Sequence, residues 1–201
     1  MKTKRRIIVG ISGASGAIYG VRLLELLKPT GIETHLVMSK AAELTINYEL
    51  DRSVADVKAL ADEVHGIKNV AASISSGSFK TDGMIVAPCS IRSLSEIVTG
   101  VTSNLLTRAA DVVLKERRRL VLIVRETPLH LGHLRSMTAA AEMGAIVVPP
   151  VPAFYAKPKS VDDVVNHTVG RVLDLMQVEA DVVRWGEDVG IGKSMPAGDE
   201  D

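Results

Sequence analysis

Five short apolar runs, each closed by glycine, proline, serine or charge, alternate along this chain with segments of helical periodicity. The runs cover residues 6–11 (RIIVGI), 33–38 (ETHLVM), 84–87, 120–124 and 145–148. Their length and β-branched content read as buried strands. Residues 15–27 carry apolar side chains at 17, 18, 21, 23, 24, 26 and 27, the spacing of an amphipathic helix, and Pro29 and Gly31 end it. Ser39 is positioned to cap a second helix running through 44 and beyond. A charged surface helix is predicted over 51–64, a Ser/Gly-rich loop over 69–82, and helices over 90–98, 104–115, 129–143 and 161–176. Short apolar strands alternating with helices require a parallel sheet covered on both faces. The prediction is a single-domain, doubly wound α/β fold, a three-layer sandwich in which ligands sit at the carboxyl ends of the strands.

A chain of 201 residues suits one domain. We take 1–185 as that domain and 186–201 as a Gly-rich, acidic tail. Lys+Arg and Asp+Glu balance at 24 each, so there is no basic field for nucleic acid. Cys89 is the single cysteine, which rules out an intrachain disulfide and fits a reducing compartment. The basic start MKTKRRIIVG is followed by glycines and then by Arg22, a pattern of neither a signal peptide nor a membrane span. The expected location is the cytoplasm.

The junctions after the strands hold the chemistry. After 6–11 comes SGASG, with Gly10, Gly13 and Gly16 spaced G-x-x-G-x-x-G rather than as a dinucleotide fingerprint. Tight strand-to-helix packing and close approach of a ligand both ask for such glycines. Ser12 and Ser15 stand where a helix N-terminus favours an anion, but no P-loop lysine follows, which argues against a nucleoside triphosphate. Ser39, Ser90 and Ser93 open further helices. Together they suit one phosphate and its ribityl chain, and no acidic residue ends 33–38 to hold an adenosine ribose, which favours FMN over NAD. Arg125 and Glu126 directly follow a buried strand. An arginine grips phosphate bidentately, and a glutamate beside that phosphate can hand a proton to a leaving group. Arg108 and Lys115, seven apart, share roughly one helix face. Arg117, Arg118 and Arg119 read as a basic helix end. Glu49 and Asp51 read as solvated surface. His130 and His133 read as capping or packing rather than metal ligation, and Cys89 as a small buried hydrophobe. With one Trp, three Tyr and two Phe in the chain, Tyr155 in the rigid VPPVPAFYAKP segment and Trp185 stand out. Arg171 interrupts an apolar helix face, either as a surface arginine with a buried stem or as a ligand.

The stretches GISGASGAIYGVRLL, SKAA, APCSIRSLSEIVTG, NLLTRAADVVLKERR, VRETPLHLGHL and PPVPAFYAKPKSVDD, spread over 7–173, resemble the flavin prenyltransferase family, long known as aromatic-acid decarboxylases. The resemblance implies a flavodoxin-like homododecamer that binds FMN between subunits. It implies transfer of the dimethylallyl group of dimethylallyl monophosphate to N5 and C6 of reduced FMN, giving the cofactor of a UbiD-type decarboxylase in ubiquinone biosynthesis. Carried over by motif, Gly13, Ala14, Ser15, Ser39, Ser90, Ile91, Arg92, Ser93 and Arg125 are the expected FMN contacts. Arg108, Lys115, Glu126, Tyr155 and Arg171 are the expected prenyl-phosphate site, Ser15 and Glu49 the expected proton handlers, and Trp185 an aromatic closing the site. The residue types agree with a reaction without metal: the sequence has no Asp-rich magnesium motif, and Arg and Lys can neutralise a monophosphate. Two rival readings are a flavin-dependent cysteinyl-peptide decarboxylase and a non-catalytic FMN-binding subunit.

Overall fold

The computed structural model describes residues 4–190. The chain separates into two compact units, Met1–Pro150 and Val151–Asp201. The first is built on a six-stranded, all-parallel sheet. Its strands are β1 (Arg6–Ile11), β2 (Glu33–Met38), β3 (Glu63–His65), β4 (Gly83–Cys89), β5 (Arg119–Val124) and β6 (Ile146–Val147). The helices are α1 (Ala17–Leu27), α2 (Lys40–Glu49), α3 (Val54–Lys58), α4 (Ile91–Thr99), α5 (Leu105–Lys115) and α6 (Leu131–Glu142). The spatial order is β3-β2-β1-β4-β5-β6. Setting aside the short edge strand β3, this is the flavodoxin order, and the strand order reverses between β1 and β4, where such folds bind ligands.

Strand side chains alternate between two buried faces. Ile8, Val37, Met84, Val86, Leu120 and Leu122 join Leu105, Leu106, Ala109 and Val113 of α5 in one core. Ile7, Val9, Ile11, Leu36, Ile85 and Val121, all at 0% exposure, face the other way, where α1 packs on β1 and β4. This is why the strands read as continuous apolar runs: neither face meets water.

Three expectations are corrected. The predicted helix over 51–64 is only α3, which closes within two turns after a reciprocal cap between Ser53 and Asp56. The chain then forms β3, a sixth strand. Asp62 anchors it by accepting from the Thr34 backbone N–H at 2.7 Å and the Thr34 hydroxyl at 2.9 Å. Pro88 does not close the third predicted strand, because β4 runs through it. Proline has no N–H to donate, so pairing with β5 skips from Val86↔Leu122 to Cys89↔Val124. The freed Pro88 carbonyl turns to Ser12, accepting from its N–H at 3.2 Å and its hydroxyl at 2.9 Å.

Glu33, at the foot of β2, accepts from Lys4, Arg6 and His35 at 3.2, 3.1 and 2.9 Å. Partial burial would raise its carboxyl, but these three contacts outweigh that and hold it at about 2, against an ordinary 4.5. A carboxyl depressed by folding stabilises the fold above its unfolded value and loses that contribution as pH falls through the folded one. The window is therefore about pH 4.5 down to pH 2. Glu33→Gln is expected to lose stability at neutral pH and to show a shallower decline across that window, measured by chemical denaturation at a series of pH values.

The second unit contains a 3-10 turn (Phe154–Ala156) and α7 (Val161–Leu175), which opens with a capping box between Ser160 and Asp163. Beyond α7, Arg184 clasps Asp174 with both guanidinium nitrogens, at 2.7 and 2.9 Å. Trp185 forms a bridge to Val189. The predicted tail is described only as far as Gly190; residues 191–201 lie outside the described residues.

Candidate active site

The carboxyl ends of β1, β2, β4 and β5 are tied to one another by a short chain of hydrogen bonds. Ser12, buried after β1, accepts at Oγ from the Ser90 N–H at 2.7 Å while its hydroxyl donates to Pro88. Ser39 N–H donates to the Ile11 carbonyl at 3.0 Å, and Arg125 N–H to the Cys89 carbonyl at 3.1 Å. Ser39 and Ser90 each cap the helix they precede, α2 and α4, by accepting from Ala42 and Ser93 backbone N–H groups. Gly13, Ala14, Ser15, Ser39, Ser90, Ile91, Arg92, Ser93 and Arg125 thus stand on one rim. Ile91 packs into the α5-side core, and Arg92 pairs with Glu96 at 2.9 Å.

Gly13 is required by space. A Cβ there would lie 2.2 Å from the Ala41 Cβ, so the SGASG turn lies against the first turn of α2 backbone to backbone. The expected free N–H groups of α1 are not free. The Glu49 carboxylate, from the end of α2, accepts from Gly16 N–H at 2.8 Å and Ala17 N–H at 3.1 Å. A helix N-terminus attracts an anion, and this one takes a carboxylate from its own chain. Glu49, which its neighbours alone give as solvated surface and the resemblance gives as a proton handler, is therefore fixed on the Gly16 and Ala17 amides, next to Ser15. Tyr19 is a further group that sequence reasoning missed. Half-buried, its phenol is raised by burial, and the Arg125 charge offsets part of that rise.

Glu126 follows Arg125 on the same rim, exposed, with Oε1 accepting from Thr127 N–H at 3.0 Å. His130 caps α6 by accepting from Gly132 N–H at 3.0 Å, and its ring lies 3.5 Å from that of His133, so the pair serves capping and packing. Cys89 is at 0% exposure and burial pushes its thiol up to about 12. A thiol so placed is not a nucleophile. It is expected to resist an aromatic disulfide reagent in the native protein and to react within minutes in denaturant; rapid native labelling would contradict its burial.

Lys115 is not on this rim. Lys115 ends α5 just before β5 begins, paired with Glu116 at 2.5 Å and beside Gly77 in the loop that leads into β4. Arg108 pairs with Asp111 at 2.6 Å and donates to the Ser75 carbonyl at 3.3 Å. The length of β5, about 20 Å for six residues, separates Lys115 from Glu126 within one chain.

In the second unit Tyr155 and Trp185 meet edge to face, ring centroids 5.7 Å apart. His167, another residue missed from sequence, joins them: Nε2 lies 3.4 Å from the Tyr155 hydroxyl and 3.2 Å from the Val183 carbonyl. Arg171, one turn along α7 from His167, pairs with Asp174 at 2.6 Å. A cavity of about 330 Å³ beside them is lined by Lys157, Lys159, Asn166 and His167. No helix among the described residues is long and apolar enough to cross a membrane.

Hydroxyls, backbone amides, the guanidinium groups of Arg92 and Arg125 and a glycine-lined turn on a single rim make a donor set suited to a phosphate and a polyol chain. Comparison with known proteins gives the same direction. The family model described as Flavoprotein matches residues 1–173. The flavin prenyltransferase UbiX of Escherichia coli (strain K12) is 68% identical over 171 residues, 85% of this chain and 90% of the relative. The crystal structure of AnUbiX (PadA1) in complex with FMN and dimethylallyl pyrophosphate superposes with a TM-score of 0.90 at 52% identity, covering 92% of this chain and 98% of that one. A dodecameric FMN-dependent UbiX-like decarboxylase from Escherichia coli O157:H7 gives 0.88 at 53% identity, covering 90% and 98%. The chain belongs to the Flavoprotein family and, within it, to the flavin prenyltransferases.

Proposed function

We propose that this protein transfers the dimethylallyl group of dimethylallyl monophosphate to N5 and C6 of reduced FMN, supplying the prenylated cofactor to a UbiD-type decarboxylase. The observation that carries the reading is the rim itself: three serine-led junctions, after β1, β2 and β4, linked through Ser12 and Ser90 and joined by Arg125 and Glu126 after β5. Gly13, Ala14, Ser15, Ser39, Ser90, Ile91, Arg92, Ser93 and Arg125 would hold FMN. Reduced FMN, when bound, supplies the nucleophile, so the protein need only bind, neutralise and move protons. Arg108, Lys115 and Arg171 would neutralise the monophosphate, and Tyr155 would orient it. Glu126 would protonate the phosphate oxygen as the allylic C–O bond breaks. Ser15 and Glu49 would handle the proton at the flavin edge, and Trp185 would close the site against water.

Because Lys115 and Glu126 of one chain stand at opposite ends of β5, a single copy cannot assemble this site. The proposal therefore includes a homo-oligomer, a dodecamer on this reading, in which α5 of one subunit completes the rim of another. Exposed apolar side chains on α2 (Leu44, Tyr48) and α6 (Leu131, Leu134) offer surface for such packing. We also keep 1–185 as one flavoprotein domain in the cytoplasm; the family match runs past Pro150 to residue 173.

The experiment is direct. Incubated anaerobically with reduced FMN and dimethylallyl monophosphate, the protein is expected to release flavin heavier by one five-carbon unit. Unmodified flavin would overturn the reading, and decarboxylation of a cysteinyl peptide by the protein loaded with oxidised FMN, with the flavin reduced in step, would install the rival one.

A further inference from the structure

At the β2–β3 edge of the sheet, two histidines and a carboxylate converge. His35, at 0% exposure, lies on β2 and pairs in register with Glu63 of β3, while His65 follows two residues on and is also buried. His35 Nδ1 and His65 Nε2 are 3.0 Å apart. Glu63 Oε2 lies 3.5 Å from the first nitrogen and Glu63 Oε1 lies 3.8 Å from the second. Among the described residues it forms no ion pair with a lysine or arginine. The other nitrogen of His35, Nε2, meets the Glu33 carboxylate at 2.9 Å, and Glu33 is in turn held by Lys4 and Arg6.

We propose that His35, His65 and Glu63 form a structural binding site for a zinc-class divalent cation, separate from the prenyl-transfer site and not used in its chemistry. The three donors are those zinc prefers. Bonds of about 2.0–2.1 Å in a tetrahedron put ligand atoms about 3.3 Å apart; the two nitrogens, 3.0 Å apart, and Glu63 Oε2, 3.5 Å from His35 Nδ1, are near that value, and one donor atom from each of the three residues lies within 4.8 Å of the others. Glu33 fixes the tautomer. A carboxylate facing Nε2 keeps the proton there and leaves Nδ1 with a lone pair aimed inward, the carboxylate–histidine–metal arrangement. His65 binds through Nε2 with its own proton on Nδ1. The ring planes are nearly parallel, 9° apart with centroids at 5.3 Å, so both rings must turn for the two lone pairs to converge. Strand β3 is three residues long and paired on one side only, which leaves it room to make that adjustment. Glu63, half-exposed, provides the way in, and water completes the tetrahedron. The ion would clamp the edge strand to β2.

The test uses the full-length, untagged protein stripped with a chelator. Titration with Zn²⁺ alone is expected to give one ion per chain and a raised melting temperature, and Co²⁺ should give the visible absorption of a tetrahedral site. Glu63→Gln and His65→Gln should each weaken Zn²⁺ binding at least tenfold and abolish the rise in melting temperature, with prenyl transfer unchanged. Both positions are used so that misfolding of one variant leaves the other decisive. Absence of stoichiometric binding would overturn the site. So would Zn²⁺ binding equally tight in both variants, which would place the ion elsewhere, for example at His130 and His133.

Discussion

Glu126→Gln is expected to lower the rate of prenyl transfer by roughly 10²–10⁴-fold, the range for loss of a general acid, while FMN affinity changes by less than about threefold, within the scatter of an exposed substitution. Arg125 N–H is bound to the Cys89 carbonyl, so the junction after β5 is tied to the end of β4 whatever residue 126 is. Glu126 contributes one contact of its own, Oε1 accepting from Thr127 N–H. Glutamine keeps that acceptor and the side chain's shape. What it cannot do is deliver a proton to a departing phosphate. Single-turnover rates and a flavin titration on the same preparation separate the two quantities. If both fall together, Glu126 holds the loop and the proton comes from elsewhere. Glu126→Asp, which retains the acid on a shorter arm, should recover part of the rate only if the proton is what matters.

Why this residue could be singled out from sequence, and others could not, follows from how each is placed. Glu126 is read from a local pattern: charge directly after a β-branched run is exposed at a strand end. The same logic located Ser39, Ser90 and Arg125, and the strands 6–11 and 33–38 were legible because both faces are buried. Local patterns fail where the determinant is a partner far along the chain. Glu49 reads as solvated surface because nothing near it shows that α2 returns its last turn to the start of α1, 33 residues earlier. The pair Arg108 and Lys115 reads as one helix face, but the sequence does not say that this face meets the Ser75 and Gly77 segment or that Lys115 sits where β5 begins. His35 and His65 are 30 residues apart and meet only because β3 pairs with β2. That strand is itself invisible: three residues at an edge carry no period, and the charged segment before it reads as helix.

Gly20→Ala tests the link between fold and site most severely. A Cβ at Gly20 would lie 2.4 Å from the Ala87 carbonyl oxygen and 2.8 Å from Ile11 Cδ1. The first of these is backbone of a central strand and cannot turn away, so α1 itself must lift off β4. Overpacking of this kind costs about 1–3 kcal/mol or more, which for a chain of this size lowers the melting temperature by roughly 2–12 °C. The displacement also reaches the site, because α1 begins at the turn that carries Gly13, Ala14 and Ser15. Lifting the helix pulls that turn against the Ser12–Ser90 hydrogen bond and away from Glu49. FMN affinity should therefore fall together with stability, a coupling absent from Glu126→Gln. Gly66→Ala supplies the contrast: a Cβ there meets nothing within 4 Å, and the substitution should leave stability within about 0.5 kcal/mol and flavin binding intact. If Gly20→Ala melts several degrees lower yet binds FMN as tightly as the parent, then the turn is held by β1 and Glu49 alone, and the packing of α1 on β4 serves the fold without serving the site.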